Sequence, residues 1–453
     1  MNKNSKVNPR KIAVSILCEI DEEGKYENLI LQKNLSQYKK LTSLDKAFIT
    51  ELVKGALENK IHIDYIINQY SKMKTNKMKP WILNVLRIGV YQIKFLTKVP
   101  VSAACNESVK ITKQRGYHFL SSFVNGVLRN ISRNIDQIKY PNEKTYPIQY
   151  LSILYSYPTW IIEYWLEQYP YSFVKALCEA GNETPNVTIR CNKLKSNPKI
   201  LQQILQLEGV EVKTGHYIPQ ALQLTKTSSI VDLPSFQKGF FQVQDESSML
   251  VAIILDPKPG DTIIDLCSAP GGKATHCAER MNNQGIIVAR DIYDYKLHMI
   301  QDTAKRLGIN IIETENKDAT LQDKNSIEKA DKILIDAPCS GLGIIRKKPD
   351  IKFQKTRKDI QKLVVLQREI LKNSWQYVKP GGILVYSTCT ITSEENIENI
   401  LWFTQHYPFV LEDISNFLPS TLQDENTKKG YLQLYPHLHQ TDGFFIARLR
   451  RKE

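Results

Sequence analysis

Two cysteines follow short apolar runs in the second half of the chain, and an aspartate lies close to one of them. Cys339 occurs in Asp336-Ala-Pro-Cys-Ser-Gly341, and Cys389 occurs in Ser387-Thr-Cys-Thr390. One buried cysteine is usually structural, but two that follow neighbouring predicted strands favour chemistry. A thiolate can add to C6 of a pyrimidine ring and make C5 nucleophilic, while a carboxyl group at the N3 edge stabilises the developing charge. The residue types suit methyl transfer to a pyrimidine.

A glycine-containing turn, Asp265-Leu-Cys-Ser-Ala-Pro-Gly-Gly-Lys273, lies between a predicted strand and a predicted helix. Backbone N–H groups in such a turn, together with the helix N-terminus, suit a carboxylate or a phosphate. Asp291 stands 20 positions after Gly271 (291 − 271 = 20). An acid at about that distance binds ribose hydroxyls in dinucleotide-type folds. The spacing therefore favours a cofactor that contains a nucleoside.

The same turn departs from the two commonest nucleotide-binding motifs. It is not a P-loop, because Cys267 stands six positions before Lys273 and Ala274 replaces the Ser/Thr. It does not spell G-x-G-x-x-G, because Pro270 takes one of the glycine positions. Taken alone, the turn is equally compatible with a structural connection that binds nothing.

Alternating strand and helix patterns after residue 240 predict an α/β, Rossmann-like domain with a mostly parallel sheet. Ligands of such sheets bind beyond the carboxyl ends of the strands. That edge collects the turn, Asp291, Asp318, Asp336 and both cysteines. The predicted strands are 262–266, 286–289, 309–312, 332–335 and 382–386, with a late antiparallel edge strand at 443–448; the predicted helices are 274–281, 296–307, 357–378 and 395–406.

Two further domains are predicted before the α/β domain, which is assigned to residues 240–453. Residues 1–139 carry apolar positions at helical spacing and little glycine, which indicates an all-α domain. Residues 140–239 combine short strands at 186–190, 210–212 and 221–224 with a helix from Pro198 to Leu207. This pattern predicts a small α+β domain of ferredoxin-like type.

The charge is concentrated at the N-terminus. Residues 1–140 contain 24 Lys/Arg and 11 Asp/Glu, a balance of +13, so the remaining residues contribute only 14 − 13 = +1. A localised positive charge favours a polyanion such as nucleic acid as partner. The alternative is a charged helical surface that only contacts solvent. No run of eighteen apolar residues predicts a membrane span. The eight cysteines form no C-x-x-C pair, so we expect no metal site and a reducing, cytoplasmic location.

Several motifs resemble known families. Val124-Asn-Gly-Val-Leu-Arg129, with Asn106-Glu-Ser-Val109, resembles the NusB-like RNA-binding domain. The turn and the two cysteine motifs look like the signatures of RNA cytosine-5 methyltransferases that use S-adenosylmethionine. Gln244–Met249 and Asp442–Arg448 also match that family. The combination resembles the RsmB/Sun family, which methylates C5 of a cytosine in small-subunit (16S) ribosomal RNA.

The resemblance implies a role for each matching residue. Cys389 would be the nucleophile and Cys339 would help to release the product, while Asp336 would touch both cofactor and cytosine. A Pro-Cys cysteine is the nucleophile in DNA cytosine-5 methyltransferases, so Cys339 is a rival that the sequence leaves open. The resemblance implies RNA as partner. We also expect a monomer and no metal. The remaining cofactor-binding residues would be Cys267, Ser268, Ala269, Pro270, Gly271, Gly272 and Lys273 in the turn, Asp291 at the ribose and Asp318 near the adenine.

Alternative functions differ in substrate or in class. The same chemistry could act on transfer RNA or large-subunit (23S) RNA. A non-enzymatic NusB-like assembly factor is a second alternative. An adenine-amino methyltransferase is disfavoured because Asp336-Ala-Pro-Cys339 replaces a Pro-Pro-aromatic turn, and a nicotinamide-dependent oxidoreductase is disfavoured by the incomplete glycine pattern.

Overall fold

A computed structural model describes residues 8–24, 27–38, 41–226 and 229–453. The chain divides into two compact units. The first comprises the described residues up to Glu183 together with Ile345–Gln354, and the second comprises Thr184–Ile344 and Lys355–Glu453. The domain boundaries after residues 139 and 239 stay a prediction.

The first unit is helical, which confirms the all-α class predicted for residues 1–139. Side chains define where its helices start: Asn8 accepts hydrogen bonds from the amides of Arg10 and Lys11, and Thr42 with Asp45 forms a capping box. The apolar faces of the helices up to residue 133 share one core, formed mainly by Ile, Leu and Val side chains. The helices are α1 (Pro9–Glu23), α2 (Glu27–Gln37), α3 (Ser43–Glu58), α4 (Lys60–Tyr70), α5 (Pro80–Phe95), α6 (Val101–Gln114), α7 (Ser121–Arg133), α8 (Pro147–Tyr155), α9 (Thr159–Leu166) and α10 (Tyr171–Ala180).

The second unit begins with a small α+β module, which confirms the predicted ferredoxin-like class. Its antiparallel sheet has the order β2-β3-β1-β4, so that β1 pairs with both β3 and β4. The helix from Pro198 to Leu207 has the predicted bounds. The elements are β1 (Val187–Cys191), α11 (Pro198–Leu207), β2 (Glu211–Thr214), β3 (Ala221–Lys226), α12 (Pro234–Gln237) and β4 (Phe241–Val243).

The rest of the second unit is the predicted Rossmann-like domain. Its sheet has the order β10-β12-β9-β8-β5-β6-β7, with β11 paired to β12. The neighbouring pairs from β9 to β7 are parallel, and β12 runs antiparallel to β9. The elements are α13 (Glu246–Leu255), β5 (Thr262–Asp265), α14 (Gly272–Arg280), β6 (Ile286–Asp291), α15 (Asp294–Leu307), β7 (Ile312–Asn316), β8 (Ala330–Asp336), α16 (Ile351–Gln354, within the segment of the first unit), α17 (Arg357–Ser374), β9 (Val378–Thr388), α18 (Ile397–His406), β10 (Phe409–Leu411), α19 (Glu425–Lys428), β11 (Tyr431–Leu434), α20 (Pro436–His439) and β12 (Phe444–Arg451).

Side chains of the central strands alternate between two apolar cores, which explains why the sequence of each strand is apolar along its length. In β8, Ile333 and Ile335 enter one core and Leu334 enters the other. Leu384 and Val385 of β9 divide in the same way. Both faces of the sheet are therefore covered, as parallel sheets require. The parallel strands end at one edge, where the site described below lies.

Several predicted elements differ from the structure in their bounds, and three of the differences have an instructive cause or consequence. The third strand is not 309–312: Gly308 adopts a left-handed φ of 78°, and the amide of Ile309 caps α15 by donating to Ala304, so β7 starts only at Ile312. The strand at 443–448 is antiparallel but not an edge, because β12 lies between β9 and β10. The helix predicted at 357–378 ends at Ser374.

Candidate cofactor and catalytic site

The glycine turn is fixed to the neighbouring strand. The amide of Ser268 donates to the carbonyl of Arg290 at 2.8 Å, and the amide of Gly271 donates to the carbonyl of Ser268 at 2.7 Å. Gly271 has φ +91°, and a Cβ there would lie 3.2 Å from Cγ2 of Ile300. Both the backbone conformation and the lack of space therefore disfavour a side chain at this position. Helix α14 starts immediately afterwards at Gly272. The turn therefore holds a helix N-terminus at the carboxyl edge of the sheet.

A cavity of about 400 Å³ opens beside this turn, within the size range of small-molecule sites. Five predicted cofactor residues line it: Cys267, Ala269, Asp291, Asp318 and Asp336. The other predicted turn residues do not line it: Ser268, Pro270, Gly271, Gly272 and Lys273. The lining residues that were not predicted to be site residues are Leu266, Ile292, Tyr293, Lys296, Ala319, Thr320, Pro338, Leu366 and Ile370.

Some of these lining residues carried a sequence signal and others carried none. Leu366 and Ile370 stand four positions apart in α17, so they lie on the same helical face, but no motif marks them. Tyr293 and Lys296 follow shortly after Asp291 at the end of β6, where functional side chains concentrate. Position after a strand end could therefore have identified that pair.

Buried polar atoms lie under the turn. Both carboxylate oxygens of Asp265 and the hydroxyl oxygen of Ser268 are buried, and none makes a well-formed hydrogen bond with the described residues. Burial raises the pKa of Asp265 to about 7, although the nearby Ser268 hydroxyl and Cys267 amide favour the charged form. Buried polar atoms without partners are rare in folded proteins. A ligand that brings a cation or hydrogen-bond donors to this turn would satisfy them, so the residues fit a charged, nucleoside-containing cofactor.

Two acids line the cavity from the second and third strands. Asp291 is buried at the end of β6, where it accepts a hydrogen bond from the amide of Tyr293 at 3.2 Å and pairs with Nζ of Lys296 at 3.4 Å. Asp318 is exposed and accepts hydrogen bonds from the amide and hydroxyl of Thr320 at 2.8 and 2.6 Å. Both carboxylates keep acceptor capacity for ligand hydroxyl or amino groups.

Asp336 links the glycine turn to the end of β9. Its Oδ2 receives Nζ of Lys273 at 2.5 Å, and its Oδ1 receives the hydroxyl of Ser387 at 3.0 Å. Lys273 thus lies outside the cavity lining and acts on Asp336. These two contacts fix the orientation of a carboxylate that also lines the cavity.

The two predicted catalytic cysteines are in direct contact. Their Sγ atoms lie 3.3 Å apart, and both residues are partly exposed. The hydrogen bond to Cys389 and burial together raise the pKa of Cys339 well above its ordinary value. Either sulfur can donate the hydrogen bond between them.

A buried glutamate holds the two cysteine loops together. Glu395 accepts hydrogen bonds from the amide and the hydroxyl of Ser340 at 2.8 and 2.6 Å, and from the hydroxyl of Thr392 at 2.7 Å. The side-chain amide of Gln367 donates to it at 3.0 Å. The sequence offered no signal for Glu395, because its partner Ser340 is 55 positions away.

Backbone contacts complete this joint. The amide of Gly343 donates to the carbonyl of Cys389 at 3.1 Å. A Cβ at Gly343 would lie 1.9 Å from the carbonyl oxygen of Gly443, so only glycine fits there. The contact between the two sulfur atoms is thus supported from both loops.

Among the described residues, no group of three or more His, Cys, Asp or Glu side chains is arranged to hold a metal ion. The described helices include none with the length and apolar character needed to cross a membrane.

Three family profiles match the sequence and together span most of it. Residues 252–450 match a profile described as 16S rRNA methyltransferase RsmB/F. Residues 7–133 match the NusB family, and residues 157–231 match a ferredoxin-like domain described as RsmF/B-like.

Whole-length relatives agree with these matches. A protein of Bacillus subtilis (strain 168), named probable ribosomal RNA small subunit methyltransferase B, is 39% identical over 99% of both chains. A Synechocystis protein (strain ATCC 27184 / PCC 6803 / Kazusa) of the same name is 35% identical over 98% of this chain and 100% of its own.

Two solved structures are also similar. The crystal structure of PH0851 has a TM-score of 0.82 and 29% identity, covering 99% of this chain and 100% of that chain. The structure of NSun6 from Pyrococcus horikoshii with SFG has a TM-score of 0.59 and 27% identity, covering 65% of this chain and 98% of that chain.

Proposed function

The chain belongs to the RsmB/F family of 16S rRNA methyltransferases, and from this premise we propose that it methylates C5 of a cytosine in small-subunit ribosomal RNA through a covalent bond to Cys389. S-adenosylmethionine is the cofactor, in keeping with the family and with a structural neighbour that contains SFG, an analogue of it. When bound, S-adenosylmethionine supplies the electrophilic methyl group.

The cavity residues hold the cofactor. Asp291 binds the ribose hydroxyls and Asp318 the adenine side, while the turn amides and Asp265 receive the amino-acid part. The burial of Asp265 and Ser268 under the turn supports this placement, because a cationic group of a bound ligand would stabilise the buried carboxylate. Asp336, oriented by Lys273 and Ser387, lies between the cofactor cavity and the cytosine.

The contact between the two sulfur atoms is the observation that carries the covalent mechanism. The Sγ atoms of Cys339 and Cys389 lie 3.3 Å apart, and either sulfur can donate the hydrogen bond between them. One sulfur can therefore hold a proton while the other is the thiolate, which is the form that attacks. We assign the thiolate to Cys389 on the family resemblance; the rival assignment makes Cys339 the nucleophile.

The proposed reaction is balanced on these residues. The Cys389 thiolate forms a bond to C6, the electron pair of the C5–C6 double bond moves to C5, and Asp336 stabilises the charge at the N3 edge. After C5 has gained the methyl group, the thiol of Cys339 releases its own proton to water, and the resulting thiolate takes the proton from C5. The pair left behind restores the C5–C6 double bond, and the S–C6 bond breaks to return the thiolate to Cys389.

The RNA-binding part of the proposal rests on the N-terminal domain. Its NusB-family match and its charge balance of +13 suit contacts to phosphates, which position RNA without reading its sequence. The target base must leave its stack to reach the catalytic residues. We further propose that the protein acts as a monomer in the cytoplasm, where the ribosomal RNA of a bacterial relative is made and assembled.

Replacement of each cysteine by alanine tests the function. We expect Cys389→Ala to abolish methyl transfer to small-subunit RNA while binding of S-adenosylhomocysteine survives. We expect Cys339→Ala to accumulate protein covalently attached to RNA. Mapping of 5-methylcytosine in 16S, 23S and transfer RNA from a deletion strain identifies the substrate; loss of a site only outside 16S RNA would contradict the proposal.

A further inference from the structure

A buried arginine of the ferredoxin-like module contacts the helix that follows the cofactor turn. Arg190 is the fourth residue of β1, and its side chain is fully buried. Its guanidinium donates to the carbonyl of Gly272 at 2.8 Å and to the hydroxyl of Thr275 at 3.2 Å. It also pairs with the carboxylate of Glu279 through two hydrogen bonds, the shorter at 2.7 Å.

These three partners lie along one face of α14. Gly272, Thr275 and Glu279 are separated by three and four positions, the spacing that places residues above one another on a helix. A planar guanidinium with fixed donor directions therefore sets both the rotation and the height of the helix. A side chain with a single cationic nitrogen could satisfy Glu279 but could not also reach the other two acceptors with the same geometry.

The first turn of α14 is where the cofactor turn ends. The hydroxyl of Thr275 also donates to the carbonyl of Gly271 at 2.8 Å, so the network binds the carbonyl oxygens of both glycines. Gln244 extends the network, since its side-chain oxygen accepts from the same guanidinium nitrogen that donates to Gly272. Its side-chain nitrogen donates to the hydroxyl of Ser248 at 3.2 Å.

We propose that Arg190 is a positioning residue for S-adenosylmethionine: the ferredoxin-like module, through this side chain, sets the turn that receives the amino-acid part of the cofactor. This inference rests on the proposed cofactor site. It assigns to the module a role in cofactor affinity in addition to any contact with RNA. Without Arg190 the turn loses its fixed position. The affinity for the cofactor then decreases, while the reaction at the cysteines is not affected directly.

Arg306 provides a matched control. It joins the same module to the Rossmann-like domain, since its guanidinium donates to the carbonyls of Phe236 and Phe241 at 2.8 and 3.0 Å and lies 3.9 Å from the ring of Phe236. Neither of these contacts involves the cofactor turn. A variant at Arg306 therefore weakens the attachment of the module without touching Gly271 or Gly272.

The test compares Arg190→Lys with Arg306→Lys by calorimetric titration of S-adenosylhomocysteine and by Tm. We expect Arg190→Lys to raise Kd by about tenfold, the loss of roughly one charge-assisted hydrogen bond, and to raise KM for S-adenosylmethionine with little change in kcat at saturation. We expect Arg306→Lys to lower Tm and to leave Kd within about twofold of wild type.

The possible results distinguish the positioning role of Arg190 from the existence of the cofactor site. Normal affinity in Arg190→Lys, or equal loss of affinity in both variants at equal Tm, would overturn the positioning role. Failure of the wild-type protein to bind S-adenosylhomocysteine would instead refute the cofactor site itself. If Arg190→Lys shows no cooperative unfolding, Gln244→Leu replaces it, because that change leaves the ion pair with Glu279 intact; a weakened Kd at unchanged Tm supports the role, and an unchanged Kd refutes it.

Discussion

Glu395 should control how quickly the covalent intermediate is resolved. In Glu395→Ala the amide and hydroxyl of Ser340 lose their acceptor. The hydroxyl can turn to Thr390, which lies 2.7 Å away, but the amide has no second acceptor among the contacts described. One buried donor without a partner costs about 1–3 kcal/mol. The loop that carries Cys339 then loses its fixed distance from Cys389.

We expect the effect on rate to exceed the effect on stability. A misplacement of about 1 Å in a reacting group can reduce a rate by about 100-fold. Cys389 keeps its place directly after the end of β9, so formation of the S–C6 bond continues, while release through Cys339 slows. Protein–RNA adduct should therefore accumulate in Glu395→Ala, as in Cys339→Ala.

The assay is denaturing electrophoresis of protein incubated with small-subunit RNA and S-adenosylmethionine, combined with steady-state turnover. Glu398→Ala is the control, because this neighbouring glutamate is exposed in the first turn of α18. We expect no adduct with the control. Turnover of Glu395→Ala close to wild type, with no adduct, would refute the reasoning that the glutamate positions the two sulfurs.

Two further predictions concern protonation. Burial lowers the pKa of His62 to about 4, so this side chain is neutral when folded. The unfolded chain then binds more protons than the folded protein, so the free energy of unfolding should fall by up to about 3 kcal/mol as pH decreases from 6.5 to 4. In urea titrations at pH 7 and 4.5, this free energy should depend less on pH in His62→Gln than in wild type. An identical pH dependence in the two proteins would contradict the lowered pKa of His62. Burial raises the pKa of Asp265 to about 7, so stability is lost as pH rises from 3.8 through that value. Asp265→Asn should therefore raise the free energy of unfolding at pH 8 by at most about 4 kcal/mol while weakening S-adenosylhomocysteine binding; an unchanged or lower stability at pH 8 would contradict the burial argument.

Local patterns predicted the parts of the fold that short stretches of sequence control. The strand, turn and helix around Gly271 were predictable because the apolar run, the glycines and the helical stretch are adjacent in the chain. The start of β7 was not, since Ile309 resembles a strand residue until its amide is seen to cap α15. Strand order was also beyond local patterns: β12 lies inside the sheet only because β10 pairs with it.

The functional residues divide in the same way. Asp291, Asp336 and both cysteines follow strand ends, so topology brings them to one edge. Glu395 and Arg190 carry no such signal, because their partners lie 55 and 82 positions away.

Lys352 is the clearest example of a residue whose environment cannot be predicted from the neighbouring sequence. It follows Lys347-Lys-Pro-Asp-Ile351, a stretch with several charged residues, yet it is fully buried in the first unit. There its Nζ donates to the carbonyl of Glu58 at 3.0 Å, and burial lowers its pKa to about 7. Only the tertiary structure brings these residues together.

The most direct test of the account is to identify the cysteine that bonds to the base. RNA that carries 5-fluorocytidine at the target position blocks loss of the C5 substituent and so preserves the adduct. After digestion with nuclease and protease, mass spectrometry should find the nucleotide attached to the peptide that contains Cys389. Attachment to the peptide that contains Cys339 would reverse the two roles, and recovery of methylated RNA without any adduct would contradict covalent catalysis altogether.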